Sequence, residues 1–180
     1  MKVFLFFFSI ILVVQGCPPI IKRSEWSTRT SHCVDKLLPS RPYAVIHHTA
    51  GNRCFNMVDC KRQLRNIEYY HMQEKKWCDI GYNFIIGEDG NIYEGRGWTK
   101  VGAHTMKYNR ISLGISIMGD FMYVTPNSKA LKAAQSLIKC SASSGYLALN
   151  YTLKGHRQLG NTDCPGKALY QVIKKWPRWG

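Results

Sequence analysis

The sequence predicts one α/β domain, a central mixed β-sheet packed with about three α-helices. Two observations carry this. Apolar runs of strand length alternate with stretches of helical period in the order β-α-β-β-β-α-β-α, which implies a mixed sheet covered by helices. A chain of 180 residues, 45% of them hydrophobic, suits a single domain with a substantial core.

Each element has a local reason. CPPIIKRSEWSTR reads as an extended segment, because its two prolines oppose a helix start. RPYAVIHHTAG reads as a strand in which Tyr43, Ala44, Val45 and Ile46 form the apolar run, and it ends on two histidines. Residues 57–75 read as a helix, with Val58, Leu64, Ile67 and His71 near helical spacing and charged residues on the other faces. DIGYNFIIGEDGNIYEGRGW reads as a hairpin around an Asp89-Gly90 turn. ISLGISIMG, 111–119, reads as a buried central strand. Thr125-Pro126 predicts a helix start with proline at the first helical position, a stripe of Leu131, Ala134, Leu137 and Ile138, and a stop at Gly145. Residues 151–155 form the last predicted strand, and GKALYQVIKKW the last helix.

The chain carries 25 Lys and Arg against 11 Asp and Glu, a formal charge of +14. That favours polyanions such as nucleic acid, anionic membranes or bacterial walls without choosing among them. The charges are scattered. No run of five like charges, no nucleic-acid motif and no strongly amphipathic cationic helix appears, so action through charge alone is the weakest reading.

Residues 1–16 read as a secretory signal: Lys2, a run from Val3 to Val14, then Gly16 before the cut. The run is too short to span a bilayer, which takes about 20 residues, and no other transmembrane anchor is expected. Residues 17–180 form the predicted domain. Export permits disulfides. Seven cysteines leave an odd one: an intermolecular bond, a free thiol or a metal ligand. Asn150-Tyr151-Thr152 is a glycosylation sequon.

Imidazole and thiolate are good zinc donors, and a catalytic zinc keeps three protein ligands and one open position. His47 or His48 ends the first strand, His156 follows the last, and Cys164 lies on the loop beyond. Strand ends converge at one sheet edge, so a His, His, Cys trio is one reading. A buried free thiol beside histidines in ordinary hydrogen bonds is the other.

From Cys17 to Trp179 the chain resembles the peptidoglycan recognition proteins. The resemblance rests on PYAVIHHTAGN, NIEYYHM, WCDIGYNFIIGEDGNIYEGRGW, GAHTMKYNRISLGISIMG and YTLKGHRQLG followed by DCPG, in that order. It implies the family fold, related to phage amidases. It implies Zn2+ held by His47, His156 and Cys164; binding-only members often carry serine at the last position. It implies catalytic help from Tyr82 and Thr162, where the phage enzymes have lysine at the latter. The implied reaction is hydrolysis of the amide between the lactyl group of N-acetylmuramic acid and L-alanine, by a secreted protein of antibacterial innate immunity. A non-catalytic recognition or bactericidal protein is the alternative.

The resemblance also implies a peptide cleft lined by His48, Thr49, His71, Tyr82, His104 and Asn109. On their own residues, His48 reads as structural and His71 as core-facing. Lys76, Trp77 and Arg96 stand where the family sets stem type: Trp77 and Arg96 match diaminopimelate binders, which carry Gly-Trp and arginine, and Lys76 matches neither pattern. Without the family, Arg96 reads as an exposed hairpin arginine. The implied disulfides are Cys54–Cys60, Cys33–Cys78 and Cys17–Cys140. The expected partners are peptidoglycan and muropeptides rather than nucleic acid; the oligomeric state stays open.

Overall fold

The computed structural model describes residues 17–180; the expected secretory segment, 1–16, lies outside the described residues. Six strands form one mixed sheet among these residues: β1 (Ile20–Ile21), β2 (Arg41–His48), β3 (Phe84–Ile86), β4 (Ile92–Glu94), β5 (Ser112–Ile117) and β6 (Leu147–Gly155), in spatial order β1-β4-β3-β5-β2-β6. β2 runs parallel to both neighbours, β5 and β6, while β3 and β4 form the antiparallel hairpin. Helices α1 (Met57–Tyr69), α2 (Ser128–Ser143) and α3 (Lys167–Ile173) cover it.

Alternation along the strands makes two cores. Ala44, Ile46, Phe84, Leu113 and Ile115 pack with Leu137 of α2 and Leu169 of α3 on one side. Ile85 and Tyr93 pack with Leu64 of α1 on the other. Burying one such aliphatic side chain contributes about 1.5–3 kcal/mol, so the face each strand residue takes is strongly fixed. The side shared with α1 also carries the site.

Several boundaries differ from the sequence reading. The first helix does not run unbroken to 75: α1 ends at Tyr69, and Tyr70–Glu74 continue as a π-helical turn that carries His71. Val58, expected on the buried stripe, is exposed, because α1 offers only Cys60, Leu64 and Glu68 to full burial. α2 starts at Ser128 rather than at Pro126. Asn127 is the better cap: its side chain accepts the Ala130 N–H at 3.0 Å while its own N–H donates to buried Glu88. Ala130, not Leu131, completes the fully buried stripe of α2. Gly145, at φ +75°, ends the helix as expected. β6 begins earlier, at Leu147, and its register shifts between Arg41 and Tyr43 of β2. α3 is shorter, and the N-terminal segment supplies β1 and a short 3₁₀ turn.

Cys17–Cys140 ties the N-terminus to α2, Cys33–Cys78 ties the segment before β2 to the loop before β3, and Cys54–Cys60 closes the entry to α1. Cys164 is the free cysteine of the described residues and is buried.

Candidate active site

Parallel pairing of β2 and β6 puts Ile46 opposite Gly155. The next residue of each chain is therefore a histidine at the same sheet edge, and the rings of His47 and His156 lie 4.6 Å apart between centroids. The loop after His156 returns Cys164 to this edge, anchored by Arg157 N–H on the Cys164 carbonyl at 2.9 Å. Cys164 Sγ sits 3.5 Å from His47 Nδ1, and the His48 backbone N–H points at the sulfur at 3.4 Å. One ligand atom from each of His47, His156 and Cys164 falls within 4.8 Å of the others.

Those three donors fit zinc. Tetrahedral N and S ligands at about 2.0–2.3 Å from an ion stand some 3.5 Å apart, near the separation between Sγ and Nδ1. The electrostatics fit as well. Burial, then His104 and His156, hold His47 well below the ordinary histidine range, and burial also lowers His156. Both are neutral donors at neutral pH. Burial pushes the Cys164 thiol up to about 12 against the pull of the His48 N–H. A cation is what would displace its proton.

His47, His48, Thr49, Tyr82, His104 and Thr162 line a cavity of about 300 Å³ around the trio, with His71 and Trp77 on its far wall. The Tyr82 ring lies 5.5 Å from that of His47, and burial raises its phenol pKa. His71 stacks on Trp77 and accepts the Gly81 N–H on Nδ1 at 3.1 Å. His48 accepts the Phe121 N–H on Nδ1 at 3.2 Å. Thr162 accepts the Cys164 N–H at 3.2 Å, so its own hydroxyl proton is free to donate. Across Thr49, His71 and Tyr82 the cavity continues into a second arm of about 400 Å³ walled by Asn52, Gln63 and Asn66.

Three expected residues sit apart from these walls. Asn109 spends its Oδ1 on the His104 and Thr105 N–H groups, at 2.9 and 2.8 Å. Lys76 is exposed, in the left-handed region at φ +59°. Arg96 is not the exposed hairpin arginine of the simpler reading: it is 9% exposed and donates to the carbonyls of Ile80, Val101 and Asp79 at 2.8, 2.6 and 3.2 Å.

Sequence reasoning missed Ser116, fully buried on β5 beside His47, its hydroxyl without a hydrogen-bond partner. It also missed the amide-rich arm. Only sheet register and helix placement bring these residues to the cleft. A larger apolar hollow of about 500 Å³ lies elsewhere, between α2, β6 and the C-terminal segment, and holds no part of the trio.

A family model for N-acetylmuramoyl-L-alanine amidase matches residues 39–167. Peptidoglycan recognition protein 1 of Bos taurus is 48% identical over 166 residues, covering 92% of this chain and 87% of the bovine protein. The chain belongs to the peptidoglycan recognition protein family. Solved members of the family share its fold. Bumblebee peptidoglycan recognition protein SA superposes with a TM-score of 0.90 at 43% identity, over 91% of this chain and 98% of that one. Human peptidoglycan recognition protein IβC, solved in complex with a glycosamyl muramyl pentapeptide, gives 0.88 at 44% identity, over 91% of this chain and 99% of that one. The mixed sheet with three helices is thus the peptidoglycan recognition protein fold.

Proposed function

We propose that this protein is a secreted, zinc-dependent N-acetylmuramoyl-L-alanine amidase of antibacterial innate immunity. It binds peptidoglycan and muropeptides and cuts the amide joining the muramic acid lactyl group to L-alanine. One observation carries the reading: a His, His, Cys trio on the floor of a cleft, its donor atoms within 4.8 Å of one another. A pure binder has no need of that donor set. The muramyl pentapeptide held by the human relative supports the ligand class. Three disulfides, and the lack of any helix long and apolar enough to cross a membrane among the described residues, are compatible with export.

His47, His156 and Cys164 would hold the zinc. Bound zinc polarises a carbonyl and lowers the pKa of its water from about 15.7 to about 7. The other residues do the rest. Tyr82 keeps its proton at neutral pH, because burial raises its pKa, and its O–H donates to the oxygen that gains charge as the amide carbon becomes tetrahedral. Thr162 donates its free hydroxyl proton to the same oxygen. The proton that the attacking water gives up reaches the departing amine by way of the Tyr82 O–H, which passes one proton on as it receives the other. His48, Thr49, His71 and His104 orient the stem peptide. Trp77, on the cavity wall, is the residue that favours the diaminopimelate type, whereas the Arg96 guanidinium is taken up by the carbonyls of Ile80, Val101 and Asp79.

Metal analysis together with muropeptide cleavage tests this. Stoichiometric zinc and free stem peptide by mass spectrometry are expected. Tight muropeptide binding with no released peptide would make the protein a recognition protein without turnover. A folded protein that takes up no zinc would end the enzyme reading.

A further inference from the structure

Between His47 and His104 lies a contact that the reaction above does not use. His47 presents Nδ1 to Cys164 Sγ and turns Nε2 the other way, 3.0 Å from His104 Nδ1. Thr105 Oγ1 stands beside both, 3.0 Å from His104 Nδ1 and 3.4 Å from His47 Nε2. Only one proton fits between the two ring nitrogens. If it belongs to His47, the His47 proton is on Nε2 and Nδ1 faces the cluster with a free lone pair. If it belongs to His104, the His47 proton sits on Nδ1 and points at the thiol, and the cluster loses a donor. A ligand imidazole is ordinarily fixed by the acceptor that its other N–H meets.

His104 is built to stay where it is. Asn109 holds the backbone N–H groups of both His104 and Thr105. The imidazole lies flat against β5 at Gly114, where any Cβ would collide with it, and against Gly102 in the same way. Gly114 and Ser116 share a face of β5, and Ser116 pairs in register with His47. The ring thus occupies space beside His47 that the absence of a side chain at Gly114 leaves open. Its Nε2 is buried without a partner. Buried polar atoms are rarely left unpaired, and a demand on the opposite nitrogen accounts for this one.

We infer that His104 is a positioning residue that accepts the His47 Nε2–H and so fixes the tautomer and orientation in which His47 Nδ1 binds zinc, with Gly114 providing the space. This rests on the zinc reading of the site. It gives His104 a task besides lining the cleft, and gives Asn109 the task of holding His104.

The test is zinc affinity of the full folded chain, by competition with a chromophoric chelator. The proteins are wild type, His104→Ala, His104→Asn and Gly114→Ala. His104→Ala should weaken zinc about 10–100-fold. Gly114→Ala should weaken it in the same direction although it removes no polar group. His104→Asn sets an amide oxygen close to the place of Nδ1 and should recover most of the loss. The absorption bands of the cobalt-substituted protein should shift in His104→Ala and return in His104→Asn, which a merely structural role would not produce. Melting in chelator reports the fold without metal, and Gly114→Ala and His104→Asn remain informative if His104→Ala fails to fold. Stoichiometric zinc in the wild type, with affinities of His104→Ala and Gly114→Ala within twofold of it, overturns the inference and leaves the zinc reading standing. No zinc in the wild type overturns the zinc reading itself, and this inference with it.

Discussion

Cys164 carries two demands at once: its sulfur belongs to the donor trio, and its backbone closes the loop onto Arg157. Serine keeps the loop and loses the thiolate. Cys164→Ser should therefore abolish stoichiometric zinc and turnover while leaving muropeptide affinity within a few-fold; calorimetry and cleavage assays together check it. Tyr82→Phe removes one donor to the charged oxygen. It should lower kcat by about 10²–10³-fold with little change in KM, read from initial rates. Lys76 poses a different question. Glycine and asparagine are the residues that tolerate positive φ, and Lys76 takes φ +59° without that tolerance. The identity of residue 76 thus answers to the backbone. Lys76→Gly should raise stability by about 0.5–1 kcal/mol in urea titrations and leave the stem-peptide preference unchanged. A changed stem preference would contradict this. At this scale the sequence made the donor types legible, His47 or His48, His156 and Cys164. Arg96 and Ser116 were not legible, because Arg96 is held by carbonyls that the turns around the hairpin aim at it, and Ser116 meets His47 only through sheet register.

Elements place these residues. β2 and β6 are parallel neighbours, so both strand ends deliver a histidine to one edge. Strand existence followed from apolar runs, yet the early start of β6 did not, because Leu147–Asn150 has no strand alternation, with Leu149 and Asn150 both exposed, and its pairing with Arg41 is decided by β2. The π-helical turn at Tyr70–Glu74 could not be told from continuing helix by periodicity, and it is what sets His71 against Trp77. At the start of α2, Asn127 caps the helix and also gives its N–H and side-chain amide to Glu88, which Arg53 neutralises. Asn127→Ala should cost about 1–2 kcal/mol, seen as an earlier unfolding midpoint, with the zinc site undisturbed.

The whole molecule responds to pH through its buried imidazoles. Burial, then Arg96 and Lys75, lower His71 to about 4; burial, then His156 and Arg96, lower His104 to about 3. In the unfolded chain both protonate near 6.5. Below that pH the unfolded state binds more protons than the folded one. The stabilisation is thus complete above about 6.5 and is lost as pH falls toward 4 and then 3, by up to about 1.4 kcal/mol per pH unit for each histidine. Urea midpoints of the metal-free protein should fall steadily between pH 7 and pH 4; a flat profile would contradict the burial argument. The formal charge of +14 adds a long-range attraction to anionic walls that salt weakens.

The sequence by itself determined the alternation of strands and helices, the hairpin, the odd cysteine and the family motifs. These are local properties: periodicity, turn chemistry, parity and the order of residues along the chain. Only the tertiary structure decided which strands are neighbours, that His47 and Cys164 meet across 117 positions, and that His104 reaches His47 through a gap left by Gly114. Such contacts depend on register and on the packing of both sheet faces, where one residue of slip would turn every side chain to the opposite face. No periodicity within one segment encodes what a distant segment presents to it.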